Sequence, residues 1–153
     1  MNTPPISIVV PLFNEYESFG PLIERLNALM DSLPYSVEVV LVDDGSRDNT
    51  PDLIRLTALS DPRYHGVLLA RNFGHQLAVT AGMAVATGSE AILIIDGDLQ
   101  DPPELLPEFY GHIQNGYDVV YAVRRKRKEG VLKRFAYSTF YQILKKIAYV
   151  DIP

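Results

Sequence analysis

Residues Ala91 to Pro103 read AILIIDGDLQDPP. The first five are apolar, three of them β-branched isoleucines, and the run is bounded by turn-forming residues. A short run that is apolar on both faces predicts a strand buried in a parallel sheet. It stops abruptly at Asp96. Ligands of open α/β sheets bind in the crevice beyond the carboxyl ends of the strands, so one stretch predicts both a fold class and the place of a site.

Working outward, the same alternation of apolar and amphipathic segments recurs, the pattern of βα units around a parallel sheet. Ile6 to Pro11 (ISIVVP) predicts a first strand, and Ser18 to Ser32 a helix with Leu22, Leu26 and Leu29 on one stripe. Val37 to Val42 predicts a second strand. Thr50 and Pro51 mark a helix start, a capping hydroxyl before a proline at the first helical position. His65 to Ala70 predicts a third strand, followed by a small-residue helix from His75 to Thr87 that ends at Gly88. After the fourth strand, Ala91 to Ile95, a helix opened by Pro102 and Pro103 runs to Asn115 and stops at Gly116. Asp118 to Val123 predicts a fifth strand, and Val131 to Val150 a last helix.

At 153 residues, 47% of them hydrophobic, the chain can bury one sizeable core. With no cysteine it has no disulfide, thiolate metal site or cysteine nucleophile, which fits a reducing compartment. Neither a signal peptide nor a run near the roughly 18 apolar residues of a membrane span is evident. Charge is divided unevenly. Residues 1–123 hold 17 Asp+Glu against 5 Lys+Arg, and residues 124–153 hold 2 against 9. A basic end on an acidic body suggests a local surface for phosphate or anionic lipid, not nucleic acid, which the body would repel.

Polar clusters follow every predicted strand: Asn14-Glu15, Asp43-Asp44-Gly45-Ser46, Arg71-Asn72-Phe73-Gly74, Asp96-Gly97-Asp98-Leu99-Gln100 and Arg124-Arg125. Carboxylates at i and i+2 of an extended segment point the same way, so Asp96 and Asp98 are expected to reach one cation, with Gln100 offering a third oxygen. An oxygen-only set suits Mg2+ or Mn2+. Gly97 is expected to let the backbone approach a bulky ligand. The alternative is a pair of turn aspartates capping the next helix. At Asp43-Asp44, a strand-end carboxylate can accept from a nucleobase imide or from ribose, and the alternative is turn chemistry with Asp48 or Thr50 as helix cap. The three histidines show no metal-ligand spacing and are expected in core or surface roles.

Read together, Val9-Val10-Pro11-Leu12-Phe13-Asn14-Glu15, Val42 to Thr50, Arg71-Asn72-Phe73-Gly74-His75 and Asp96 to Pro103 resemble the ordered motifs of family 2 glycosyltransferases. The D-x-D-x-Q-D-P-P form is similar to the branch that charges dolichyl or undecaprenyl (bactoprenol) phosphate. The resemblance implies a GT-A fold, an α/β architecture with a mostly parallel Rossmann-like sheet flanked by helices. It also implies inversion, and a nucleoside diphosphate sugar as donor, UDP preferred and GDP the other choice. Pro11, Asn14 and Glu15 would border the nucleotide, Asp43 and Asp44 its base, and Arg71 would help hold the donor. Asp96, Asp98 and Gln100 match the metal and diphosphate positions.

The acceptor would be a polyprenyl phosphate. Arg124 to Lys128, then Lys133 and Arg134, make Arg124 and Arg134 the candidates for phosphate contact, because arginine binds phosphate bidentately. A phosphate monoester is largely anionic near pH 7, its second pKa being about 6, so it needs no strong base. The final helix carries an apolar stripe from Leu132 to Ile147 beside basic residues. Such a helix lies on an anionic membrane, covers the sheet, or pairs in a homo-oligomer. The expected organisation is a nucleotide-sugar-binding core over 1–123 and a basic loop and helix of the same domain over 124–153, truncated at the C-terminus, in the cytoplasm at the inner membrane face. Alternatives are transfer to a glycan hydroxyl, a nucleotidyltransferase (which would show a glycine-rich basic loop after the first strand), and a non-catalytic nucleotide-sugar-binding fragment. A dehydrogenase is excluded by the lack of G-x-G-x-x-G there.

Overall fold

The computed structural model describes residues 4–123. The chain divides into two compact units, Met1–Val120 and Tyr121–Pro153, and the first carries the sheet. Four strands, β1 (Ile6–Leu12), β2 (Val37–Asp43), β3 (Tyr64–Leu68) and β4 (Ala91–Ile94), form one sheet in the order β3-β2-β1-β4. Every pairing is parallel, with Val9 opposite Val40 on one side and Ile94 on the other. Helices α1 (Tyr16–Ser32), α2 (Thr50–Ser60), α3 (His75–Val85) and α4 (Leu106–Gln114) connect and follow them, and a 3-10 turn at Pro103–Leu105 precedes α4.

All seven residues of β1 and of β2 are buried, as strands apolar on both faces require in a sheet covered on both sides. Period-two alternation divides them. Ile6, Ile8, Val10 and Leu12 pack with Val39 and Leu41 against Phe19, Leu22 and Leu26 of α1, Ile54 of α2, and Leu106 and Tyr110 of α4. Val9, Val40 and Val42 face the other way onto Ala78 of α3. The small residues of α3 set that spacing: a Cβ at Gly82 would lie 2.4 Å from Val9 Cγ1.

Chirality explains the distribution of helices. The chain moves outward from β1 to β2 to β3, then returns past β1 to form β4. Right-handed crossovers place helices of opposite travel on opposite faces, which is why α3, among the described helices, lies alone on its face. The direction reverses between β1 and β4, and the crevice at such a switch point opens at the strands' carboxyl ends. Pro11 stands there, two residues beyond Val9, whose pair with Ile94 is the last in the β1–β4 register. A residue with no N–H is tolerated where no ladder partner requires one.

The amino end of the sheet is closed by a buried polar knot. Ser7 Oγ donates to Glu38, Thr87 donates to both Glu38 oxygens through its N–H and hydroxyl, and Gly88 N–H donates to Ser7 Oγ at 2.7 Å. Burial works to raise the Glu38 pKa, but these hydrogen bonds and His65, 3.3 Å away, hold it below the usual glutamate value.

Two sequence expectations fail here. Residues 118–123 form no strand: Val119 is 76% exposed, and the segment has no ladder partner among the described residues, without which an apolar run makes no strand. Thr50 does not cap α2 through its side chain. Its hydroxyl instead accepts the Glu15 N–H, while Asp48 Oδ1 accepts the Thr50 N–H. The helix expected over 131–150 lies outside the described residues.

Candidate active site

Three loops at the carboxyl ends of β1, β2 and β3 are bonded into one rim. Asp44 N–H donates to Leu12 O, extending the β1–β2 ladder past both strands. Asn14 then bridges in both directions: its N–H donates to Ser46 Oγ and its Oδ1 accepts the Arg47 N–H, each at 2.8 Å. Its φ of 57° is left-handed, a conformation asparagine tolerates better than most residues. Tyr16 N–H donates to Asp48 Oδ2. Burial works to raise the Asp48 pKa, but the bonds from Thr50 and Tyr16 hold it below the ordinary aspartate value.

The two adjacent acids of the second loop have separate tasks. Asp43, 2% exposed, accepts the N–H groups of Gly45 and Ser46 and so folds its own turn. Asp44, 4% exposed, reaches across to the third loop, where Oδ1 accepts the Phe73 N–H at 2.7 Å and Oδ2 the Gly74 N–H at 3.0 Å. Gly45 has a φ of +69°, and a Cβ there would lie 2.3 Å from the Arg71 carbonyl carbon. Only glycine satisfies both constraints. Arg71 lies over the Phe73 ring at 4.3 Å, a cation–π arrangement on the exposed side of the loop.

The fourth loop differs from its expected form. β4 ends at Ile94, and residues 97 and 98 turn instead of extending, with Leu99 left-handed at φ 64°. Asp98 Oδ1 accepts the Gln100 N–H at 3.0 Å, closing its own turn, and the 3-10 turn at Pro103–Leu105 has no side-chain cap from either aspartate. The i, i+2 argument therefore does not describe this segment. At Gly97 an added Cβ would lie 2.2 Å from Leu12 Cδ2, so glycine lets the turn close onto the end of β1. Asp96 and Asp98 are both exposed on this turn.

Between the loops lies a cavity of ≈ 200 Å³ lined by Pro11, Leu12, Phe13, Asp44, Asn72, Gly74, His75 and Ala78. Pro11 and Asp44 are thus brought together as expected, and Asn14, Glu15 and Arg71 flank them on the same rim. Arg124 and Arg134 lie outside the described residues. His75 was missed. It is the first residue of α3, lines the cavity, and holds Nδ1 3.8 Å from Asp96 Oδ1, both side chains being 54% exposed. Spacing among histidines could not reveal it. Its place on the helix that leaves the Arg71–Gly74 loop could, since that loop lies on the rim.

Among the described residues no group of three or more His, Cys, Asp or Glu forms a metal cluster. Asp96, Asp98 and Gln100 offer two exposed carboxylates and an amide oxygen on one turn, a hard-donor set that fits a cation completing its shell with water and phosphate. No described helix is long and apolar enough to cross a membrane.

Comparison with known proteins agrees with this geometry. The family model described as glycosyl transferase family 2 matches residues 7–151. The uncharacterized glycosyltransferase YkcC of Bacillus subtilis is 45% identical over 96% of the chain and 46% of that relative. An undecaprenyl-phosphate 4-deoxy-4-formamido-L-arabinose transferase of Shewanella sediminis is 38% identical over 96% of the chain and 44% of its own length. The chain thus spans less than half of these curated relatives. Among solved structures, the mannosyltransferase PcManGT of Pyrobaculum calidifontis, in complex with GDP-Man and Mn2+, superposes with a TM-score of 0.64 at 24% identity, over 95% of this chain and 39% of that one. That likeness shows the fold, which is GT-A, and with the family match it establishes that the chain belongs to glycosyl transferase family 2.

Proposed function

We propose that the chain is the donor-binding and catalytic part of an enzyme that moves a sugar from a nucleoside diphosphate sugar to a polyprenyl phosphate, with a divalent cation and with inversion. One observation carries the reading: an exposed Asp96–Asp98 turn closes on the end of β1, whose last residues also line a cavity at the carboxyl ends of β1 and β2. Pro11, Asn14, Glu15, Asp43 and Asp44 shape the nucleotide side, and Arg71 serves the donor's diphosphate. A uridine donor is the family expectation. A guanosine donor is what the Pyrobaculum neighbour holds.

Asp96, Asp98 and Gln100 would hold Mg2+ or Mn2+, which when bound offsets charge on the departing diphosphate. In the reaction an acceptor phosphate oxygen forms a bond to the anomeric carbon as the bond from that carbon to the diphosphate oxygen breaks. A single displacement of this kind inverts the centre. The acceptor enters already anionic, so no proton need be removed. The Shewanella relative's named activity supports undecaprenyl phosphate as the acceptor class. The basic residues after Val123, Arg124 and Arg134 among them, are proposed to meet that phosphate and an anionic membrane surface at the cytoplasmic face.

The test is transfer of labelled sugar from UDP- and GDP-sugars to undecaprenyl phosphate, followed by organic extraction. The reading expects label in the organic phase with Mn2+ and none with EDTA. Label moving only to soluble oligosaccharides would replace the acceptor, and the absence of transfer to either would remove the catalytic assignment of this chain.

A further inference from the structure

Leu99 is one of only two non-glycine residues with positive φ among those described, and unlike Asn14 it has no polar side chain to stabilise that conformation locally. Something must hold it. The holder is on α1. Arg25 Nη1 donates to the Leu99 carbonyl at 3.4 Å, while Nε and Nη2 donate to Glu104 Oε1 and Oε2 at 3.0 and 2.6 Å. One guanidinium thus grips both ends of the segment from Leu99 to Glu104. Glu104 sits in the 3-10 turn that leads into α4, so the grip runs from α1 through the turn to the next helix. The planar fork of arginine permits three directed bonds at once, which a lysine ammonium on a flexible stem cannot reproduce.

We infer that Arg25 is a positioning residue for the donor site: by fixing the left-handed Leu99 carbonyl and Glu104 together, it sets the turn on which Asp98 and Gln100 are presented. The inference rests on the proposed cation role of that turn. It does not rest on ion pairing for stability, because a pair 34% and 53% exposed contributes little to folding. The side chain of Leu99 packs against the core cluster that includes Leu22 and Leu26 of α1, so a loosened turn stays anchored at that point and shifts in its exposed carboxylates.

The experiment compares the unsubstituted chain with Arg25→Gln, Arg25→Lys and Glu104→Gln by calorimetric titration of UDP and GDP, with Mn2+ and with EDTA. Amide exchange across residues 98–105 is followed in parallel. Arg25→Gln is expected to weaken Mn2+-dependent nucleotide binding about tenfold, as loss of charge-assisted bonds implies. Metal-free binding and the unfolding midpoint should stay near those of the unsubstituted chain, and exchange should quicken at 98–105 alone. Arg25→Lys should resemble Arg25→Gln, since charge without the fork does not suffice. Glu104→Gln should fall between. Unchanged Mn2+-dependent affinity in Arg25→Gln, or unchanged exchange at 98–105, overturns the inference. So does Arg25→Lys behaving as the unsubstituted chain. Should that chain bind neither nucleotide with Mn2+, the donor reading fails first, and exchange still decides whether Arg25 holds the turn.

Discussion

Asp43-Asp44 and Asp96-x-Asp98 end the two strands that flank β1, and their carboxylates have opposite surroundings. The first pair is buried, and its oxygens accept the N–H groups of Gly45, Ser46, Phe73 and Gly74. The second is exposed, with Asp98 bonded to the Gln100 N–H and Asp96 Oδ1 lying 3.8 Å from Nδ1 of the exposed His75. A buried carboxylate must be satisfied by the protein itself, so Asp43 and Asp44 build the rim. An exposed one keeps coordination capacity for a cation. Acids that look alike in sequence therefore differ in setting because burial differs: one half of the rim is a fixed cradle, and the other is an exposed pair of carboxylates, the pair proposed to hold the cation.

The comparison breaks most readily at Gly45. Gly45→Ala forces a left-handed residue against the Arg71 backbone, and a loss of about 3 kcal/mol is expected from strain and overlap together. Urea unfolding followed by circular dichroism reads it, and a loss under 1 kcal/mol would mean that the second and third loops are not interlocked. Asp44→Ala removes a buried carboxylate and leaves the part-buried Phe73 and Gly74 N–H groups without their acceptor, and should cost about 2–3 kcal/mol. If its stability matched the parent's while nucleotide binding vanished, Asp44 would belong to the ligand and not to the cradle.

On the other half of the rim the effects on folding shrink. Gly97→Ala meets only the movable end of Leu12, and about 1–2 kcal/mol is expected, with weakened metal-dependent binding as the turn is pushed off β1. Asp98→Ala should leave stability within about 0.5 kcal/mol of the parent, since it frees one exposed amide. A cost equal to that of Asp44→Ala would erase the distinction drawn here.

Glu38, at the amino end of the strands, serves as a control remote from both halves. Its folded pKa lies below the reference value of 4.5, so its stabilisation is present above that pH and is lost as pH falls through the folded value. Glu38→Gln should flatten the acid limb of the stability profile without changing nucleotide binding at neutral pH. An acid limb as steep as the parent's would assign acid sensitivity to other carboxylates.

Much of this was legible from residues alone. The runs Ile6 to Leu12 and Val37 to Val42, apolar on both faces apart from Ser7 and Glu38, point to strands inside a two-sided parallel sheet, and polar residues after each run marked the rim. Illegible were features set by partners distant in sequence. Thr50 presents a helix-start signature, yet its hydroxyl is claimed by Glu15, 35 residues away. Gly97 is small because of Leu12, and Arg25 bonds to Leu99 across 74 residues. The left-handed Leu99 has no local signal at all, since leucine does not choose that conformation unaided. The apolar run that follows Asp118, to Val123, predicts a strand, although pattern alone supplies no pairing partner.

The central claim, that one acid pair builds the cradle while the other binds through metal, is tested most directly by calorimetric titration of UDP, then GDP, with Mn2+ or EDTA, into the chain and Asp98→Ala. The account predicts that one nucleotide binds, that binding requires Mn2+, and that Asp98→Ala abolishes the metal dependence while remaining folded. Binding of equal strength in EDTA, or an Asp98→Ala variant that binds as the parent does, would contradict it.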